Sequence, residues 1–321
     1  MDNRPDHATL QQAADWFARL ASQPDDPALQ EAWRHWHEQQ ESHRQAWVFV
    51  ERVSQRFNPL QQDADRAGRT LDSLRHGQQS RRQMLRNLTI FGGASLLGWI
   101  GWRQADLGTQ LMAWQADYRT AGGEVREQLL ADGTRLWLNS ATAVDVDFSR
   151  NQRRLRLYRG EILISTASDP RPLRVETAQG SLRPLGTRFS VRQEAQRTRL
   201  NVYQGAVQVQ CQASGAERIV DSGLGLTFDS RDIAPDSPVQ QERQAWSQGL
   251  LLANDISLGQ FIEELAVYRS GHLGVDPRIA GLRVMGAYPL HDTEQVLAML
   301  ERTLPIRIQR TLPWWVTLEP R

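Results

Sequence analysis

Residues 80–102 constrain this chain more than any others: the string SRRQMLR at 80–86 runs into an uncharged, mostly apolar segment at 88–102. Before it, apolar residues recur at helical spacing; after it they mostly alternate, as strands do. A chain whose periodicity changes across an apolar run is predicted to place its two parts on opposite sides of a membrane. About 15 helical residues span roughly 22 Å, less than the ~30 Å hydrocarbon core. Arg86 and Arg103 bracket the run and can snorkel to the two interfaces, and Trp99 and Trp102 stand where an aromatic belt forms. The competing reading of so short a segment is a buried core helix, and Gly92, Gly93, Gly98 and Gly101 lower its hydrophobicity.

Flanking charge sets the direction. Arg75, Arg81, Arg82 and Arg86 precede the segment with no acid among them, whereas Asp106 and Asp117 follow alongside Arg103 and Arg119. By the positive-inside rule the N-terminal part stays cytoplasmic. SRRQMLR also resembles the twin-arginine export motif through Arg81 and Arg82, with Met84 and Arg86 replacing the usual Phe and Lys. No A-x-A-like cleavage site follows, so residues 81–103 read as a motif plus a retained signal anchor, a single transmembrane helix.

A length of 321 residues predicts two or three domains beside that anchor. A net charge of +1, with scattered arginines, leaves no nucleic-acid footprint. Cys211 is the one cysteine, so no intramolecular disulfide can form, and alternation from Ala206 puts it on the apolar face of a strand.

Residues 1–80 read as an all-α bundle. Thr9 with Gln12 makes a capping box before Ala13, Trp16, Phe17 and Leu20; Asp26–Pro27 starts a helix carrying Leu29, Trp33 and Trp36. Ser42 with Gln45 starts a third, carrying Ala46, Val50, Val53 and Phe57, which Asn58 and Pro59 are expected to stop; a fourth is placed at 63–75. The helix-spaced tryptophans predict a core rather than a stacking platform. His35, His37 and His43 do not share a face, so no metal site or cofactor is expected.

The string AADWFARLASQPDDPALQEAWRHWHEQQESHRQAW at 13–47 resembles the N-terminal anti-sigma domain of FecR-type transmembrane sensors through Trp16, Arg19, Leu20, Trp36, His43, Arg44, Ala46 and Trp47. The resemblance implies a cytoplasmic partner, a sigma factor of the extracytoplasmic-function (ECF) class, and makes Trp16, Arg19, Leu20, Trp33, Trp36, His43, Arg44 and Trp47 the candidate sigma-binding residues.

Beyond the anchor, short strands recur every 8–12 residues or so, which predicts an all-β sandwich or barrel-like module. Asp132–Gly133 is a hairpin turn between two of them. The blocks LADGTRLWLN, LYRGEILI, DPRPLRVET, LGTRFSVR and VYQGAVQV resemble, in order, those of the FecR domain. Residues 117–233 are therefore expected to form a periplasmic β-rich FecR domain.

From Trp246 the pattern turns α+β. A strand at 250–253, a helix capped by Ser257 and Gln260, strands at 272–275 and 283–288, a helix capped by Asp292, and strands at 306–309 and 315–318 make an approximate β-α-β duplication over 244–321. That part resembles the short signalling domain of secretins and TonB-dependent transducers. In FecR-type sensors it receives the signalling domain of a TonB-dependent outer-membrane receptor, and edge strands supply a physical route by strand addition.

No paired carboxylates, zinc spacing, nucleotide loop or Ser/His/Asp set emerges, so no enzyme is expected. One bond stands apart: a strained turn would let the Thr187 hydroxyl attack the Gly186 carbonyl, and some members of the family self-cleave at such a Gly-Thr. The bland alternative is a glycine turn into a strand. Together these readings predict an inner-membrane anti-sigma regulator serving siderophore or related uptake, its signal released by membrane proteases. The rival is an envelope adaptor or glycan-binding protein held by the same anchor.

Overall fold

The computed structural model describes residues 5–69, 112, 113 and 115–321. Arg81, Arg82 and the apolar segment at 88–102 lie outside the described residues, among which no helix is long and apolar enough to cross a membrane.

Three helices come first: α1 (His7–Ser22), α2 (Pro27–Gln39) and α3 (Glu41–Arg69). The cap of α1 is Asp6, whose carboxylate accepts from Thr9 N at 2.7 Å, so Thr9 lies in the first turn instead of capping it. An anion beats a hydroxyl at the positive end of the helix dipole. Asp26 caps α2 as its sequence predicts, accepting from the backbone of Ala28 and Leu29. The expected stop at Asn58–Pro59 is not one: α3 runs through it to Arg69. Proline forfeits a single ladder bond, and the following LQQDADRAGR is rich in helix formers. Ala13, Ala14, Ala46 and Val50 are fully buried where the helices meet, small residues that let their axes approach.

The β-rich part starts with β1 (Tyr118–Arg119), β2 (Arg126–Leu129), β3 (Arg135–Leu138), β4 (Ala143–Phe148) and the long β5 (Arg153–Ser165). It continues with β6 (Leu173–Glu176), β7 (Gly180–Pro184), β8 (Arg188–Gln193) and β9 (Thr198–Gln204), then β10 (Ala206–Cys211), β11 (Glu217–Asp221), β12 (Leu224–Phe228) and β13 (Ser237–Pro238). The strand β5 belongs to two layers. Its first half pairs with β4 and β6, its second with β3 and β8. The bend lies at Gly160, φ +86, where a Cβ would meet Thr142 Cα at 2.6 Å. Leu155 and Leu157 from one half and Ile162 and Ile164 from the other then face a common core with Phe189, Val202, Val207, Val209 and Cys211. The cysteine thus sits on the apolar face that alternation assigns it.

The C-terminal elements are a 3-10 helix (Gln241–Gln248), β14 (Leu250–Ser257), α4 (Leu258–Leu265), β15 (His272–Val275), β16 (Arg283–Pro289), α5 (Thr293–Thr303), β17 (Ile306–Leu312) and β18 (Trp315–Pro320). Both predicted caps are present: Ser257 and Gln260 form a reciprocal capping box, and Asp292 accepts from Gln295 N at 3.0 Å. The strands pair as β14–β16 and as β15–β18–β17, and the buried faces of α4 and α5 share one core with them. That core does not end at the unit's border. Trp137 of β3, Leu163 of β5 and Tyr203 of β9, all on the outer face of the sandwich, belong to the same cluster as Trp246, Phe261 and Leu297.

Candidate functional site

Gly186 and Thr187 form the turn that delivers the chain from β7 into β8. Gly186 holds φ +81, a conformation side chains rarely adopt, and its carbonyl lies so near Gly205 that a Cβ there would stand 2.4 Å from Gly186 O. The Thr187 amide donates to Thr166 Oγ1 at 2.8 Å, while the Thr166 amide and hydroxyl donate to the Thr187 carbonyl at 3.0 and 3.2 Å. Thr187 is 5% exposed, and its own Oγ1 is buried without a hydrogen-bond partner. A buried hydroxyl left unpaired costs about 1–3 kcal/mol. The Thr187 hydroxyl thus has no hydrogen bond that competes for it.

The loop carrying Thr166 is itself pinned. Ala167 N donates to Thr134 Oγ1 at 3.2 Å, Thr134 Oγ1 donates to Asp132 at 2.7 Å, and Asp132 pairs with the buried guanidinium of Arg153. Burial raises the Asp132 carboxyl, but the Arg153 and Thr134 hydrogen bonds outweigh it and the group ends below the ordinary carboxylate range. On the other side, Arg188 places its guanidinium 5.0 Å from the Trp137 ring and donates from Nε to Gln244 Oε1 at 2.7 Å. Arg188, which follows Thr187, is therefore tied to the junction with the C-terminal unit.

The eight candidate sigma-binding residues separate into an interior set and a rim. Trp36 stacks on His43, ring centroids 4.5 Å apart, and His43 Nδ1 lies 2.7 Å from Trp36 O. Trp36 Nε1 donates to Gln12 at 3.1 Å, so Gln12 serves the core, not a cap. Trp16 tilts against Trp36, and Trp33 against Trp47 at 4.8 Å, with Trp33 Nε1 buried and lacking an acceptor. Arg19 lies over the Trp16 ring at 4.7 Å and, like Arg44, is exposed; Leu20 is half-buried.

These helices also cover part of the C-terminal sheet, a contact that sequence reasoning missed. Phe17 meets Trp314 edge-on at 5.6 Å, and Phe49 meets Trp315 at 6.1 Å and His272 at 5.7 Å. Gln11 is the polar centre: its Nε2 donates to Thr311 at 2.6 Å, and its Oε1 accepts from Trp315 Nε1 at 3.3 Å and Thr317 at 3.1 Å. Burial, with His7 adding to it, pushes His272 down to about 4. The exposed-looking pair Trp314–Trp315 on a β-hairpin was the available signal.

Residues 116–208 match the family model described as FecR protein, and residues 11–53 match one described as a domain of unknown function, DUF4880. Two crystal structures of a candidate anti-sigma factor from Parabacteroides distasonis ATCC 8503 resemble the chain with TM-scores of 0.52 and 0.51. Each is 22% identical, over 64% of this chain and 98% of the other, a likeness of fold. No curated protein matches significantly.

Proposed function

We propose that this chain, a FecR-type protein by the two segments just matched, is an anti-sigma regulator held in the inner membrane by residues 81–103. Its N-terminus is cytoplasmic and its C-terminus periplasmic. The helices at 5–69 hold an ECF sigma factor through the exposed rim of the aromatic cluster, with Arg19, Arg44 and Leu20 at the surface and Trp16, Trp33, Trp36, His43 and Trp47 shaping it. The observation that carries the reading is the order of the matches: one lies before the arginine pair and apolar run, the other after it. Capture of an ECF sigma factor by residues 1–80 tests it; capture of envelope proteins alone would point to an adaptor instead.

The C-terminal unit is the receiver, taking the signalling domain of a TonB-dependent siderophore receptor on an unpaired strand edge. Strand β16 supports this, since among the described residues it pairs only with β14 and leaves Met285 71% exposed beside the exposed Gly286 and Ala287. Membrane proteases then cut the anchor and free the helices with the sigma factor. One thin helix transmits a cut better than a subtle tilt.

Self-cleavage at Gly186–Thr187 belongs to the same reading. Thr187 Oγ attacks the Gly186 carbonyl carbon, the C–N bond breaks, and the hydroxyl proton ends on the freed Thr187 amine. Water then hydrolyses the ester, leaving a Gly186 carboxylate and a new N-terminus at Thr187. The unpartnered Oγ1 and the positive φ of Gly186 support it. Purified protein should resolve into two fragments, one ending at Gly186 and the other beginning at Thr187, and Thr187→Ala should stay intact. An intact wild-type chain would refute the step.

A further inference from the structure

The two sides of the Gly186–Thr187 bond are held very differently. On the acyl side Leu185 and Gly186 are exposed, and apart from its chain neighbours nothing comes within 4 Å of where Gly186 would carry a Cβ. On the amine side one residue grips Thr187. Thr166 Oγ1 accepts from the Thr187 amide at 2.8 Å, and the Thr166 amide and hydroxyl donate to the Thr187 carbonyl at 3.0 and 3.2 Å. The grip is anchored in turn, because the next amide, Ala167 N, donates to Thr134 Oγ1, which donates to the Asp132 carboxylate paired with Arg153. From another direction the Gly205 turn backs onto the bond with room for a hydrogen only: a Cβ there would stand 2.4 Å from Gly186 O and 2.7 Å from Thr187 Cγ2.

We propose that Thr166 is a catalytic residue of the Gly186–Thr187 cleavage, its hydroxyl oxygen holding the nitrogen that leaves. The inference rests on the self-cleavage reading. In the shift the bond from Thr187 Oγ to the Gly186 carbonyl carbon forms, the C–N bond breaks, and the hydroxyl proton passes to the nitrogen, which takes a second proton from water. The ammonium so formed is a stronger donor than the amide it replaces, so the Thr166 hydrogen bond becomes charge-assisted as the ester appears. A bond that tightens along the reaction favours the shift, whereas one equally strong before and after would not. Through the Thr187 carbonyl, Thr166 also keeps the amine side still while the exposed Gly186 acyl group passes from nitrogen to oxygen and meets water.

A time course of cell-free synthesis of the full chain in detergent reads the rate, and mass spectrometry reads the junction. Thr166→Val keeps the shape and removes the hydroxyl; it is expected to slow cleavage at least about tenfold, the worth of one charge-assisted hydrogen bond. Thr166→Ser keeps the hydroxyl and is expected to cleave faster than Thr166→Val. Packing alone ranks the two the other way, because serine loses a methyl group that valine retains. Saturating hydroxylamine, which attacks an ester and spares an amide, leaves only the shift to limit the rate, and Thr166→Val should still lag there. Valine cleaving as fast as the unaltered chain, valine matching serine, or valine catching up under hydroxylamine would each overturn the role of Thr166 and leave self-cleavage standing. An unaltered chain that stays intact, or is cut elsewhere, refutes self-cleavage and the role of Thr166 with it.

Discussion

The C-terminal unit is covered on two sides, and the two seams are made differently. Against the sandwich it shares a mainly apolar core, Trp137, Leu163 and Tyr203 being as buried as the residues of the unit itself, with the Arg188–Gln244 and Ser140–Val267 hydrogen bonds beside it. Against the helices it offers aromatic edges around one glutamine, with a histidine held neutral inside. An apolar seam loses hydrophobic energy over its whole area if it parts, so it behaves as one body. A seam that carries polar and titratable groups has partners for them in water, so it can open.

The largest test strikes the apolar seam. Trp137→Ala removes a large buried ring and its contact with Arg188, and is expected to cost about 3–5 kcal/mol in urea unfolding of the full chain. The sandwich and the C-terminal unit should unfold in one transition before the change. Two separate transitions in the unaltered protein would dissolve the contrast.

Acid is expected to act on the other seam. In the contact, burial, with His7 adding to it, holds His272 near 4, below the ordinary histidine value of 6.5 toward which release moves it. Between those values the released form binds a proton that the closed form excludes, so the contact is fully stable above pH 6.5 and weakens as pH falls. The slope approaches about 1.4 kcal/mol per pH unit. The His272 ring, followed by NMR in the full chain, should titrate well below an ordinary histidine, and the contact should loosen between pH 7 and 5, an effect that His272→Phe should flatten. An ordinary titration of His272 would remove it from the account.

The smallest effect falls on the same seam. Gln11→Ala leaves Trp315 Nε1 and two threonine hydroxyls without their partner and is expected to cost the contact about 1 kcal/mol, with the unfolding midpoint of the β-rich part unchanged. A shift in that midpoint would mean the two seams are one.

Much of the fold was legible because its signals are local. Asp26–Pro27, the Ser257–Gln260 box and Asp292 each mark a helix start through side chains that bond their own backbone. Local signals misled at Thr9, where Asp6 already caps the helix three residues earlier, and at Pro59, which the long helix absorbs. The apolar seam was half legible: the strings LWL at 136–138 and ILI at 162–164 do not alternate, and strands that skip alternation are buried on both faces. What lay against the outer face could not be read from either string.

The sequence by itself determined the elements, their order, and the family likeness carried by tryptophans, glycine turns and an arginine pair, because each is a pattern of neighbours along the chain. Only the tertiary structure decided that Thr187 has a free hydroxyl, that Arg188 ties its bond to Trp137 and Gln244, and that Gln11 meets Thr311. Those facts depend on which groups three-dimensional packing leaves paired or unpaired. Residues 300 positions apart carry no sign in the sequence that they will share a hydrogen bond.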